Sequence, residues 1–151
     1  MRITQEADYA LRIVCILAKD DKILDAKTIA DASGVTPRFA LKILHKLGVE
    51  NMVRSYKGAS GGYKLALPAK EITVKKIIEL IDGPIEISKC MDSEHFCSRQ
   101  GLDKSGCVMH HIFSEISASL AQQLDSVRIS DVVGASVEDV PQILTTINNG
   151  E

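Results

Sequence analysis

AKTIADASGVTPRFALKILHKLG, residues 26–48, decides the fold. Its first eight residues read as a short helix. Gly34 closes that helix, because glycine takes the left-handed backbone that a helix end asks for. Thr36 then caps the next helix, with Pro37 at the first position, where a missing N–H is harmless. Phe39, Ile43, Leu44 and Leu47 supply its buried side, and Arg38, Lys42, His45 and Lys46 populate the other. A helix, a tight glycine turn and a helix with a basic face form the helix-turn-helix pattern.

Reading outward, residues 52–56 and 63–67 are short strands around the turn KGASGG. After a helix-turn-helix, such a hairpin is a wing. KGASGG lacks the Gly-Lys-Ser/Thr ending of a phosphate loop, and no helix follows it. Upstream, residues 4–19 read as a helix capped by Thr4, with Ala7, Ala10, Ile13, Val14, Ile16 and Leu17 at helical spacing. Cys15 on that helix is expected to be a buried core thiol. Downstream, residues 73–82 read as a further helix, and residues 85–106 show no sustained period and read as a loop. A long helix then runs from Cys107 to about Arg128. Met109, Ile112, Phe113, Ile116, Leu120, Leu124 and Val127 form its stripe. So long a stripe has little monomer core to cover, so pairing with a symmetry mate is expected. Residues 130–134 and the tail from Ser136 read as a short appendage.

The expected fold class is mainly α with a small β-hairpin: a winged helix-turn-helix plus a long C-terminal dimerisation helix. The expected divisions are a DNA-binding head over 1–82, a cysteine-rich cluster-binding loop over 83–106, a dimerisation helix with a short appendage over 107–134, and a tail over 135–151.

The net charge of −2 hides an asymmetry. Residues 1–76 hold 14 Lys and Arg against 8 Asp and Glu, whereas residues 77–151 hold 4 against 12. A basic half suits an anionic partner such as DNA. No run of 18 apolar residues exists, so no membrane span is expected. Glu6, Asp8 and Arg12 interrupt any secretory signal at the start, so a cytoplasmic location is expected. There, clustered cysteines serve as metal ligands or redox groups more readily than as disulfides.

Three of the four cysteines, Cys90, Cys97 and Cys107, lie in one stretch, and His110 follows in the spacing C-x6-C-x9-C-x2-H. Thiolates are soft, charged ligands suited to iron–sulfur clusters. One helical turn places Cys107 and His110 on one face. A zinc site with His110, or thiol switches without metal, uses the same residues and stays open. His95 and His111 read as solvated. On the DNA side, the first residues of the second helix of a helix-turn-helix enter the major groove. Here these are Thr36, Pro37, Arg38, Phe39, Leu41 and Lys42. Arg38 can read guanine through a bidentate contact, and Gly58, Gly61 and Gly62 let the wing backbone approach phosphate. No nucleophile–base pair, phosphate loop or HExxH motif is present, so an enzyme is not expected.

The opening MRITQEADYALR, the segment GVTPRFALKILHKL, the wing KGASGGYKL and the cysteine loop before a long helix occur in this order. Together they resemble the IscR/NsrR-type (Rrf-two family) winged-helix transcriptional regulators over roughly residues 1–134. The resemblance implies a homodimer whose long helices cross, bound to a double-stranded pseudo-palindromic operator. It implies an iron–sulfur cluster that controls operator affinity, although some members have none. It matches Cys90, Cys97 and Cys107 to the cluster cysteines and Lys57 to a basic wing residue that enters the minor groove. His110 matches the fourth ligand of one type, with a [2Fe–2S] cluster. Asp8 matches a carboxylate supplied by the partner subunit in another, with a [4Fe–4S] cluster. The gap between Cys97 and Cys107 is longer than the family's usual spacing. Redox state, nitric oxide and iron or cluster supply are the implied signals. The alternative is a cluster-free, thiol- or zinc-dependent regulator that acts with a metabolic enzyme partner.

Overall fold

The computed structural model describes residues 2–20, 22–91 and 104–145. Helices α1 (Gln5–Lys19), α2 (Ala26–Ser33) and α3 (Pro37–Val49) come first. Strands β1 (Val53–Tyr56) and β2 (Gly62–Leu65) follow, then α4 (Val74–Asp82). Beyond the loop lie α5 (Val108–Ser126), α6 (Ile129–Val132) and α7 (Val140–Thr145). This is the expected class, largely helical with one two-stranded antiparallel hairpin.

The first four helices begin where a side chain can satisfy a free N–H of the first turn. Thr4 accepts from Ala7, Asp25 from Lys27 and Thr28, Thr36 from Phe39, and Thr73 from Lys76. Each such cap contributes about 1 kcal/mol. At the other end of α2, Gly34 adopts φ 70° and returns its N–H to Ala30 and Asp31. The turn between α2 and α3 is therefore short, and the two helices pack on each other and on α1. Ile13, Leu17, Ile29, Ile43, Leu44, Leu47 and Ile77 meet in one buried core. Ala40, not Phe39, is the fully buried residue in the first turns of α3. Phe39 is half-buried and meets the Tyr9 ring edge-on at 5.7 Å. Cys15 packs against the core but is only half-buried, and that burial pushes its thiol pKa up.

The wing is tied to the helices by a contact that periodicity does not reveal. Val53 faces Leu65, and Tyr56 faces Gly62, across the hairpin. Leu24, between α1 and α2, adds a third rung, with its N–H 3.0 Å from the Tyr63 carbonyl and its carbonyl 2.8 Å from the Tyr63 N–H. This brings the Leu24 backbone so close to Gly62 that a Cβ there would collide with the Leu24 carbonyl. Gly62→Ala is therefore expected to destabilise the head by about 1–3 kcal/mol, the usual range for overpacking. Urea unfolding checks this, and a midpoint equal to that of the unaltered protein would remove the steric argument.

Helix α5 has two faces where the sequence suggested one stripe. Phe113, Leu120, Leu124 and Val127 are half-buried, and Ser117 is the buried residue of the helix. These positions recur every three or four residues and form the side that meets α4 and the turn Lys89–Met91. Met109, Ile112 and Ile116 lie on another side and are 50%, 44% and 50% exposed. Beyond α5 the chain returns to the head. The Val127 carbonyl accepts from Val74 N–H, and Ile129 N–H donates to the Ile72 carbonyl, both at 2.9 Å. Ile129 is fully buried in the head's core, and Val133, within the segment 130–134 expected to be an appendage, is half-buried against that core.

Candidate nucleic-acid interface and cysteine site

Helix α3 presents its first turns outward. Thr36, Pro37, Arg38, Leu41 and Lys42 are exposed, and Leu41 is 44% exposed, high for a leucine held in place by a packed helix. The Thr36 hydroxyl accepts from Phe39 N–H at 3.4 Å, so its own proton is free to donate. Among the described residues, Arg38 makes no hydrogen bond or ion pair, and neither does Lys57 at the wing tip. Gly58 beside it has φ 108°, which the tight turn requires and most side chains resist. Lys42 differs. Its Nζ donates to Glu6 Oε2 at 2.9 Å, and Glu6 Oε1 binds Lys46 Nζ at 2.7 Å. Hydrogen bonds from Lys46 and Lys42 hold the Glu6 carboxyl below its ordinary range. Sequence reading places Lys42 on the DNA face and counts Glu6 only among the charges that interrupt a secretory signal. The partners lie 36 residues apart, too far for any local pattern to join them.

The cysteines are positioned by short turns at both described ends of the loop. Cys90 sits in the turn Lys89–Met91. That turn is held to α5 through Ser117, whose hydroxyl accepts from Ile87 N–H at 3.1 Å and donates to Met91 Sδ at 3.3 Å. Cys107 follows the turn Lys104–Gly106 and is the N-terminal cap of α5, with its side chain making no capping bond. The unpaired N–H groups of that first turn favour negative charge beside Cys107. Cys90 and Cys107 are free, half-buried thiols. His110, on the same turn of α5, has its Nδ1 buried without a hydrogen-bond partner. His111 instead places Nε2 2.8 Å from the Ser105 carbonyl.

Cys97 and His95 lie outside the described residues. Among the described residues, no three of His, Cys, Asp and Glu gather closely enough to hold a metal ion. Asp8 is half-buried in the first turn of α1 and forms an ion pair with Arg12 at 2.6 Å. To act as a ligand it must exchange that partner.

The chain matches the family described as "Rrf2: Iron-dependent Transcriptional regulator" over residues 3–135. It belongs to the Rrf2 family. A helix-turn-helix-type transcriptional regulator assigned in Mycobacterium tuberculosis is 30% identical over 148 residues, 95% of this chain and 88% of that one. The regulator NsrR of Oceanobacillus iheyensis is 24% identical over 135 residues, covering 88% and 90% of the two chains. The structure of CymR, the global cysteine regulator of Bacillus subtilis, superposes with a TM-score of 0.72. It is 22% identical, over 90% of this chain and 98% of that one, and so speaks for the fold. This Rrf2 protein is thus a DNA-binding transcriptional regulator and not an enzyme. Among its described residues, no helix is long and apolar enough to cross a membrane.

Proposed function

We propose that this Rrf2 protein is a homodimeric regulator whose operator affinity is set by an iron–sulfur cluster held by Cys90, Cys97, Cys107 and a fourth ligand, His110 or Asp8. The observation that carries the cluster reading is His110 Nδ1. A buried ring nitrogen without a partner is costly unless something binds it, and this one lies one helical turn from a free thiol. The family's description as iron-dependent supports iron over zinc. A bound cluster supplies a redox-active, iron-dependent crosslink between the thiolates. Cys90 brings the start of the loop, anchored on Ser117, and Cys107 brings the start of α5. Ligation thereby fixes the loop against the helix. A ligand shifts a conformational equilibrium only by its different affinity for the two states, and on this reading the states differ in whether Cys90 and Cys107 are joined through the cluster.

On this reading residues 1–82 read DNA, 83–106 hold the cluster, 107–134 join the two protomers, and 135–151 form a tail. The exposed Met109, Ile112 and Ile116 support the homodimer. Two heads related by a twofold axis then meet two half-sites of a pseudo-palindromic operator about one DNA turn apart. Such a regulator works where the chromosome is, in the bacterial cytoplasm. In the groove, Arg38 is the residue expected to read a base. Arg38→Ala is expected to weaken operator binding by about 1–3 kcal/mol and relax preference at one base pair per half-site. Binding to an operator selected from a randomised duplex pool measures this. Equal selectivity in the variant would remove Arg38 from the readout.

Anaerobic purification, with a visible spectrum and iron and sulfide analysis, tests the cluster. Coloured protein with matched iron and sulfide is expected, and the stoichiometry separates two-iron from four-iron forms. Protein that stays colourless after anaerobic reconstitution overturns the cluster and leaves the zinc or thiol reading.

A further inference from the structure

We propose that Glu6 is a specificity-setting residue, which restrains the affinity of the recognition helix for DNA of any sequence by holding Lys42 and Lys46. The proposal rests on the reading that α3 enters the groove. Helix α3 carries three permanent cations, Arg38, Lys42 and Lys46. Glu6 binds the ammonium groups of two of them, one on each carboxylate oxygen, at 2.9 and 2.7 Å. Its side chain is 19% exposed, against 53% for Lys42 and 37% for Lys46, so the carboxylate is the fixed partner and the lysines are drawn to it. Two contacts hold it there: Ala7 and Ala10 bury the adjoining face of α1, and the Tyr9–Phe39 ring contact locks α1 against α3. Lys42 is further held over the Phe39 ring, 5.4 Å from its centroid. Arg38 has no partner among the described residues.

The consequence is electrostatic. Sequence-independent affinity comes from cations that displace counterions from phosphate. A lysine bound to a carboxylate must leave that partner to do so, and the carboxylate itself repels phosphate. Glu6 therefore removes a large part of the non-specific attraction of α3 and leaves Arg38, the base-reading candidate, untouched. Because useful specificity is the ratio of operator to non-specific affinity, lowering the second raises the ratio.

The test uses the full-length protein and a random-sequence duplex of about 30 base pairs, with affinity followed as salt is varied. Glu6→Gln is expected to steepen the slope of log K against log salt by about 1–2, since each additional phosphate contact contributes about 0.9. Random DNA should bind more tightly at low salt, and the operator-to-random ratio should fall. Adding Lys42→Met and Lys46→Met to Glu6→Gln should cancel the steepening. Glu6→Asp keeps the charge but is one methylene shorter, so it should fall between the two and guards against a Gln variant that folds poorly. An unchanged slope with a lowered thermal midpoint would make Glu6 a packing residue and overturn the proposal. Arg38→Ala separates the two levels of inference. If it relaxes operator selectivity while Glu6→Gln does not steepen the slope, the proposal for Glu6 fails alone. If Arg38→Ala also leaves operator affinity and selectivity unchanged, the placement of α3 in the groove fails with it.

Discussion

Ile116→Glu is expected to convert the protein from a dimer to a monomer. Ile116 is half exposed in a helix whose other face is already committed to α4 and the turn around Met91. With Met109 and Ile112 it forms an apolar strip along the first half of α5. In a twofold interface built on this strip each protomer would bury one introduced carboxylate. An unpaired buried charge costs several kcal/mol, and the dimer would hold two. Because Ile116 contributes little to the protomer's own core, the head should keep its thermal midpoint. Light scattering should therefore report half the mass with folding intact. Operator affinity should fall by a factor of about 10²–10⁴, since the second head no longer binds as part of the same molecule. A variant that remains dimeric would mean that the strip is not the interface.

Cys107→Ala is expected to lose iron and sulfide together, and with them the dependence of operator affinity on reconstitution. Cys107 is the hinge of the proposed site because it is both a proposed ligand and the cap of α5. Its side chain makes no capping bond, so alanine removes the thiol without removing a cap. Cys15→Ala is the matched control. That thiol is half-buried in the head, and burial raises its pKa, which disfavours the thiolate that a metal needs. It should retain full iron and sulfide. Wild-type iron in Cys107→Ala, or a colourless Cys15→Ala, would each break the assignment. His110→Ala and Asp8→Ala then compete directly. The one that loses the cluster supplied the fourth ligand, and the iron count of the unaltered protein should agree.

Most of the head was legible in the sequence because its signals are local. Thr4 and Thr36 cap their helices, Gly34 closes α2, and apolar residues at helical spacing face one core, although Thr73, read as the first helical residue, is the cap of α4. The wing was legible from two short apolar runs around glycines, although β2 stops at Leu65, before the expected end at Leu67. What stayed hidden depends on residues distant in sequence. Leu24 joins the hairpin through one residue, too short a run to show the alternation of a strand. Ile129 belongs to a four-residue helix, too short for periodicity to reveal its buried side. The stripe of α5 was correctly found but not divided, because apolar residues look alike whether they meet α4 or remain open. In the candidate site, the spacing of Cys90, Cys107 and His110 was legible. The pairing of Lys42 with Glu6, 36 residues away, was not, whereas that of Asp8 with Arg12 is an i,i+4 pattern the sequence carries but the reading passed over.

The stitching of the chain after α5 onto the start of α4 makes the long helix a lever. Its far end is fastened to the head by the backbone bonds at Val127 and Ile129, reinforced by the Thr73 hydroxyl on Asp125 at 2.9 Å. Its near end begins at Cys107. Nineteen residues of helix extend about 28 Å, so a tilt of about 10° at one end carries the other through about 5 Å. In the proposed dimer a recognition helix displaced by that much would no longer meet its groove in step with its twin. On this reading a small angular change where the cysteines sit, taken up in the packing of α5 on α4, would alter the span between two DNA-reading elements.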